Sequence, residues 1–355
     1  MDHHKKRGRL RRWFLATFSF LAVGYPVALL LAVLTMRFVG DDWWVTSVAL
    51  YLPRVGFALP LPGIALVLAW GRRWRLLGLQ VVSLWLLLFP LMGLTLSWRG
   101  YPADGEPSLR LLTYNVNSGN GGFRELADEI VAHSPDVVFI EELPEWRVAQ
   151  MKAQLAPLYK SITSSDEFLV ASKFRIVSSE TAAPIPFFGR VQPARFMRFV
   201  LETPLGEITA YDLHTISPRG GFTKLRGQGL RREALSGRLL QGQASHKIEG
   251  TAALRALQVQ AVAEMAARDR GPVVIVGDTN LPTLSGARAR SFGHFQDGFA
   301  EAGLGFGYTY PSKWPWMRID LILANQQLDF RRVEVGSGRA SDHLCVFGDL
   351  VLRKR

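Results

Sequence analysis

Residues 13–36 form an uncharged run of 24 residues, and residues 76–98 another of 23. About 20 apolar residues cross a bilayer as helix. Backbone inside lipid must satisfy its own polar groups, so both runs are committed to helix. The stretch between them, 43–70, holds Arg54 and prolines 53, 60 and 62, which leaves only Val55–Trp70 uninterrupted. We read it as a span over about 45–70, with Arg54 near one end and snorkelling to the interface; a re-entrant or interfacial segment is the alternative. The first hundred residues thus divide into a basic N-terminus, 1–12, and a transmembrane region, 13–98, with spans at about 13–36, 45–70 and 76–98. The first run is too long for a signal peptide and lacks a small-residue cleavage site, so we expect it to be retained.

Charge orients these spans. "HHKKRGRLRR" and "GRRWR" are basic, whereas "RFVGDDWW" between them is acidic and aromatic. The positive-inside rule places the two basic stretches in the cytoplasm. The third span then delivers everything after Arg99 to the outer face of the cell membrane. Residues 1–100 carry 12 Lys/Arg against 3 Asp/Glu, and the remainder 30 against 27. Most of the formal charge of +12 therefore belongs to the membrane part, which weakens any nucleic-acid reading based on overall basicity. Cys345 is the only cysteine, so no intrachain disulfide can form.

After a short linker at 99–108, the chain reads as a soluble domain, 109–355. "LRLLTYNV" (109–116), "DVVFI" (136–140), "EITAYDLH" (207–214), "PVVIVGD", "RIDLILA" and "LCVFGDLVL" have strand composition. Leu126 and Ile130 lie four apart, and Leu254, Leu257, Ala261 and Met265 form a helical stripe. Strands with interspersed helices point to α/β or α+β sheet packing.

Polar residues collect at the strand ends: Asn115, Glu141 and Glu142, His214, Asp278 and Asn280, Asp320, and Asp342 with His343. Singly, each is an ordinary turn or surface residue. Together they offer carboxylates for a hard cation, amides and imidazoles for phosphate, and an Asp to orient a His.

The ordered series "TYNVN", "PDVVFIEEL", "DLHTISP", "VGDTN", "RIDLIL" and "SDHLCV" resembles the endonuclease/exonuclease/phosphatase (DNase I-like) superfamily over about residues 109–352. The resemblance implies a four-layer sandwich, with two packed mixed β-sheets flanked by helices. It implies a metal-dependent phosphoric ester hydrolase using Mg²⁺, or Mn²⁺. Asn115, Glu142 and Asp342 would hold the cation. His214 would contact the scissile phosphate. Asp278 and Asn280 would orient the nucleophile and bind phosphate. His343 would act as general acid or base, oriented by Asp320. Asn117 and Arg219 would touch substrate. Glu141 stands where the family commonly has Gln, and Asn117 where some nucleases have Asp, which favours one cation over two. Either Asp278 or His343 could be the base.

The substrate is less legible. Residues 219–247 hold 7 Lys/Arg against Glu233, with Leu225, Leu230, Leu235, Leu239 and Leu240 among the charges. That composition suits a solvated loop, or a basic flap resting on anionic headgroups. Trp314 and Trp316 suit core, a substrate wall or a membrane-facing loop. Three spans followed by this domain look like the teicoplanin-resistance membrane proteins of the VanJ type. That resemblance implies a lipid-linked substrate, an isoprenoid pyrophosphate, with the bilayer as partner. The alternatives are a membrane-tethered nuclease acting on nucleic acid and a non-catalytic module that keeps the fold. No obligate protein partner is evident.

Overall fold

The computed structural model describes residues 2–97, 99–223 and 242–354. The five leucines of the basic connection lie outside the described residues.

The N-terminal region comprises helices Asp2–Phe38, Trp44–Leu50, Pro60–Trp70 and Trp74–Leu86, with a 3₁₀ turn at Arg54–Ala58 and a π-helical extension at Leu87–Leu91. Arg9–Phe38 and Trp74–Leu91 are long and apolar enough to cross a membrane. Trp44–Leu50 and Arg54–Trp70 could form a third span only as a pair bent by 89°. The straight part, Pro60–Trp70, covers 11 residues. At about 1.5 Å per residue that falls well short of a hydrocarbon core of about 30 Å.

Arg54 corrects one expectation. It is 4% exposed rather than extended to the interface. Its guanidinium donates to the Leu91 carbonyl at 3.1 Å and to the Leu50 carbonyl at 3.5 Å, both at helix ends. Carbonyls at a helix C-terminus lack intrahelical donors, and a cation supplies them.

The strands are β1 (Thr95–Leu96), β2 (Leu109–Asn115), β3 (Val137–Glu141), β4 (Ser161–Ser165), β5 (Phe168–Ser172), β6 (Ile176–Thr181), β7 (Ile185–Phe187), β8 (Arg190–Gln192), β9 (Phe196–Thr203), β10 (Gly206–His214), β11 (Val273–Asp278), β12 (Gln296–Asp297), β13 (Leu304–Gly305), β14 (Asp320–Ala324), β15 (Leu328–Val335) and β16 (Val346–Leu352). Two six-stranded sheets have the orders β12-β14-β11-β10-β9-β6 and β15-β16-β2-β3-β5-β4. Each has one parallel pair, β10/β11 and β2/β3, and is otherwise antiparallel.

The sheets pack face to face through Leu111, Phe139, Phe199, Ala210, Val274, Val276 and Phe330. The Phe139 and Phe199 rings meet edge to face, 6.3 Å apart; truncating either to Ala would cost about 3–5 kcal/mol. Helices Phe123–Ala132 and Glu145–Leu155 cover one outer face, and Gln243–Ala266 and Gly286–Phe292 the other. The expected four-layer α/β sandwich is the architecture found.

Of the stripe expected on the 243–266 helix, Leu254 is buried and Ala261 and Met265 pack against the core, while Leu257 is exposed. Arg255 and Gln258 are buried on the same helix, two polar side chains that apolar spacing does not find.

The N-terminal helices and the domain share packing. Leu284 joins Leu29, Leu50 and Leu91 in one cluster. Asp41 accepts from Ser285 Oγ and the Ala287 amide, both at 2.9 Å, at the start of the 286–292 helix. A carboxylate there satisfies a free amide and complements the helix dipole. β1 pairs with β13, and Glu106 meets Arg331 through two hydrogen bonds.

Candidate active site

Register places the polar residues together. In the parallel pairs, Asn115 stands beside Glu141 and His214 beside Asp278, while Asp320 faces Asp278 across β11/β14. The C-terminal ends of both parallel pairs therefore converge at one rim, the usual place for ligands in such sheets. Gly277 ends the apolar run of β11 at φ +119°, and a Cβ there would lie 2.1 Å from the Leu213 carbonyl oxygen. Only glycine makes that turn, and it aims Asp278 at the rim.

Asp278 Oδ2 is the meeting point. Asn115 Nδ2 and Asn280 Nδ2 each donate to it at 3.1 Å, the first from the opposite sheet. The Asn280 amide donates to Oδ1 at 2.7 Å. His214 Nε2 and His343 Nε2 each lie 3.8 Å from Oδ2. His343 turns Nδ1 to Asp320, 3.0 Å from Oδ2. His214 turns Nδ1 to Glu167 at 3.0 Å, and Glu167 is held by Arg195 at 2.9 Å. Glu142, at φ +57°, points its carboxylate at the same cavity, 3.9 Å from His214 Nε2.

Burial and neighbours set the protonation. Burial, then the Asp320 charge, push Asp278 up to about 6, against the pull of both histidines. Burial lowers His343, but the charges of Asp320 and Asp278 outweigh it and raise the ring to about 9. Burial also lowers His214, and Glu167 more than offsets it, so this ring too titrates above its ordinary value.

Seven expected residues are therefore gathered: Asn115, Glu142, His214, Asp278, Asn280, Asp320 and His343. Arg219 and Asp342 sit at the cavity's edge, joined to each other at 2.6 Å, with Tyr310 Oη accepting from Arg219 at 2.8 Å. Asp342 thus faces a guanidinium rather than Glu142. Asn117 does not line the cavity; its amide donates to Asn115 Oδ1 at 3.0 Å and its side chain faces Asn120.

Three features escaped sequence reading. Glu167 lies in the β4–β5 hairpin, where "SDEF" reads as a turn. Tyr51 comes from the N-terminal helices yet lines the cavity. Glu141 and Asp212 are both fully buried between the sheets. Among the described residues no donor reaches Glu141 Oε2 or either Asp212 oxygen, and burial drives both groups well above the carboxylate range. Such a pair keeps a proton.

Asp278, Asp320 and His343 are close enough to hold a metal. Both Asp320 oxygens, however, face His343 Nδ1, which marks an orienting dyad. The oxygen donors left for a hard cation are Glu142 and the Asn115 amide, beside Asp278.

The cavity over this cluster has a volume of about 620 Å³. Tyr51, Ile216, Pro218, Phe222, Trp316 and Met317 form an apolar wall beside the polar floor. Of the two tryptophans flanking Pro315, Trp316 lines the cavity and Trp314 is 74% exposed.

The family model described as "Endonuclease/Exonuclease/phosphatase family" matches residues 112–343. Among solved structures, an endonuclease/exonuclease/phosphatase from Beutenbergia cavernae DSM 12333 is 18% identical, covering 69% of this chain and 72% of that one, with TM-score 0.49. One from Bacteroides vulgatus is 14% identical over 69% and 99%, TM-score 0.49. D. rerio TDP2, complexed with single-strand DNA product, is 18% identical over 68% and 98%, TM-score 0.47. No curated protein matches the chain.

Proposed function

Because the chain belongs to the endonuclease/exonuclease/phosphatase family, whose members are metal-dependent phosphoric ester hydrolases, we propose that it hydrolyses a lipid-linked phosphate or pyrophosphate, such as an isoprenoid pyrophosphate, at the outer membrane face. The observation that carries this reading is the cavity wall. A polar, carboxylate-rich floor adjoins an apolar wall to which the membrane region itself contributes Tyr51. A phosphate on an apolar chain matches both surfaces.

The side of the membrane is supported by the ends of the first helix. Arg11 lies over the Trp70 ring at 5.0 Å, so both basic stretches share one end. Arg37 and Asp41 contact the catalytic domain at the other. Basic residues favour the cytoplasm, so the domain faces out.

Glu142 and Asn115 would hold the cation, with Mg²⁺ the best match to hard oxygen donors and Mn²⁺ the next. Bound there, it supplies neutralisation of charge on the phosphate oxygens. Asp278, titrating at about 6, is ionised at neutral pH and takes a proton from the attacking water. His343, raised to about 9 by the Asp320 and Asp278 charges, is protonated at neutral pH and suits the acid role. It gives its proton to the leaving oxygen as the P–O bond breaks, while Asp320 holds the ring. His214 donates a hydrogen bond to charge growing on phosphate, and Asn280, whose two Nδ2 protons go to Asp278 and Thr215, holds the base in place. No covalent enzyme intermediate is required.

Purified full-length protein with Mg²⁺ is offered an isoprenoid pyrophosphate and supercoiled plasmid in parallel, with Asp278→Ala as the blank. Phosphate release from the lipid alone is expected. Nicking of the plasmid alone would replace this reading with the nuclease one.

A further inference from the structure

Tyr51 ends the 44–50 helix, at the junction between the apolar helices and the domain. Its hydroxyl donates to the Asn280 carbonyl oxygen at 2.7 Å and accepts from Arg255 Nη1 at 2.9 Å. Its own carbonyl accepts from Trp316 Nε1 at 3.1 Å, and its ring meets Phe222 edge to face at 5.2 Å. Arg255 is 1% exposed and also donates through Nε to the Ile216 carbonyl at 2.8 Å. Gln258, one turn further along the same helix, accepts from the Ile216 amide at 2.9 Å. Tyr51 and Arg255 therefore tie together the two loops that follow β10 and β11, which carry His214 and Asp278.

Asn280 sits at φ +48°, a left-handed backbone that asparagine tolerates better than most residues, and its surroundings fix it there. Its amide and side chain both bond Asp278, and its Nδ2 also bonds the Thr215 carbonyl at 3.0 Å. The Tyr51 hydroxyl fixes the carbonyl of that same residue. Rotation of the Asn280 peptide would move the amide that orients Asp278 Oδ1.

We infer that Tyr51 is a positioning residue for the catalytic loop, so that the membrane region completes the active site as well as anchoring it. Turnover then depends on the docking of the 44–58 segment against the domain. This rests on the catalytic roles given above to Asp278 and Asn280. A lost hydroxyl here displaces the loop by a fraction of an ångström, and such misplacement costs about 10- to 100-fold in rate.

The test uses full-length protein in detergent with Mg²⁺ and two variants. Tyr51→Phe keeps the ring and removes the hydroxyl. Tyr25→Phe is the control: it removes another membrane-region hydroxyl, one that donates to the Phe57 carbonyl at 2.6 Å away from the cavity. The expected result is a kcat lower by about 10- to 100-fold in Tyr51→Phe, with KM within about twofold. Tyr25→Phe stays at the wild-type rate, and both variants keep the wild-type melting temperature. Equal kcat in Tyr51→Phe and wild type overturns the inference, as does an equal loss in both variants. Hydrogen exchange over residues 278–284 gives a readout that needs no turnover. Faster exchange in Tyr51→Phe alone is expected, and unchanged exchange overturns the inference even if wild type proves inactive on every phosphoester, a result that would instead remove the phosphoesterase reading.

Discussion

Asp278 Oδ2 and His343 Nε2 stand 3.8 Å apart with Asp320 behind the imidazole, and the Asp320 charge raises both groups. Asp278 titrates at about 6 and His343 at about 9, so near neutral pH one is a base and the other an acid. Activity that needs both forms falls below about 6 and above about 9. Asp320 raises both groups, so Asp320→Asn should move both limbs of the kcat profile to lower pH. Profiles for wild type and variant at the same saturating Mg²⁺ check this; limbs that stay in place contradict it.

Removing either end of the pair removes a proton-transfer group. Asp278→Ala and His343→Ala should each lower kcat by about 10²- to 10⁴-fold. Neither should unfold the domain, because both side chains stand at the rim of the sandwich, beyond its apolar core. Turnover paired with thermal melting decides the point, and near-wild-type turnover in either variant would break the assignment.

Glu142 is the carboxylate that reaches the cavity, whereas Glu141 is fully buried and accepts from Thr113 Oγ1. Glu142→Gln should therefore raise the Mg²⁺ concentration needed for half-maximal activity. Glu141→Gln should leave it unchanged. A titration curve indifferent to Glu142→Gln would exclude this side chain as a ligand.

The Glu141–Asp212 pair makes folding take up a proton. Both groups are raised in the folded state, so the native protein binds more protons than the unfolded chain once pH exceeds the ordinary carboxylate range. Stability then declines as pH rises from about 4.5, the reverse of an ion-paired carboxylate. Glu141→Gln removes one of the two acids and gives Asp212 an amide donor. Its melting temperature should equal or exceed that of wild type at neutral pH and fall less steeply from pH 5 to 8. An identical slope would mean that the pair carries no extra proton.

Much of this was legible in the sequence because it is local. A β-branched run ending in Gly277 identifies a strand and the turn that presents Asp278. The ends of β2, β3, β10 and β14 were marked in the same way by Asn115, Glu142, His214 and Asp320. What was not legible depends on tertiary contact. Glu167 sits in an ordinary hairpin and gains a role only because His214 arrives from another strand. Arg255 and Gln258 sit on the buried face of their helix because both reach Ile216, 39 and 42 residues earlier in the chain. Tyr51 lies inside the expected span at 45–70, and nothing local shows that Asn280 and Arg255 stand against it. Asp342 lies next to His343 in sequence, but its side chain turns to Arg219. Arg54 read as a snorkelling charge because sequence cannot show that two helix-end carbonyls lie within its reach.

The most direct test of the central claim is phosphate release from an isoprenoid pyrophosphate in vesicles that also carry the protein. The account predicts Mg²⁺-dependent release by wild type that is abolished by a chelator and by Asp278→Ala. Release that persists in Asp278→Ala, or no release from the lipid under any metal condition, would contradict it.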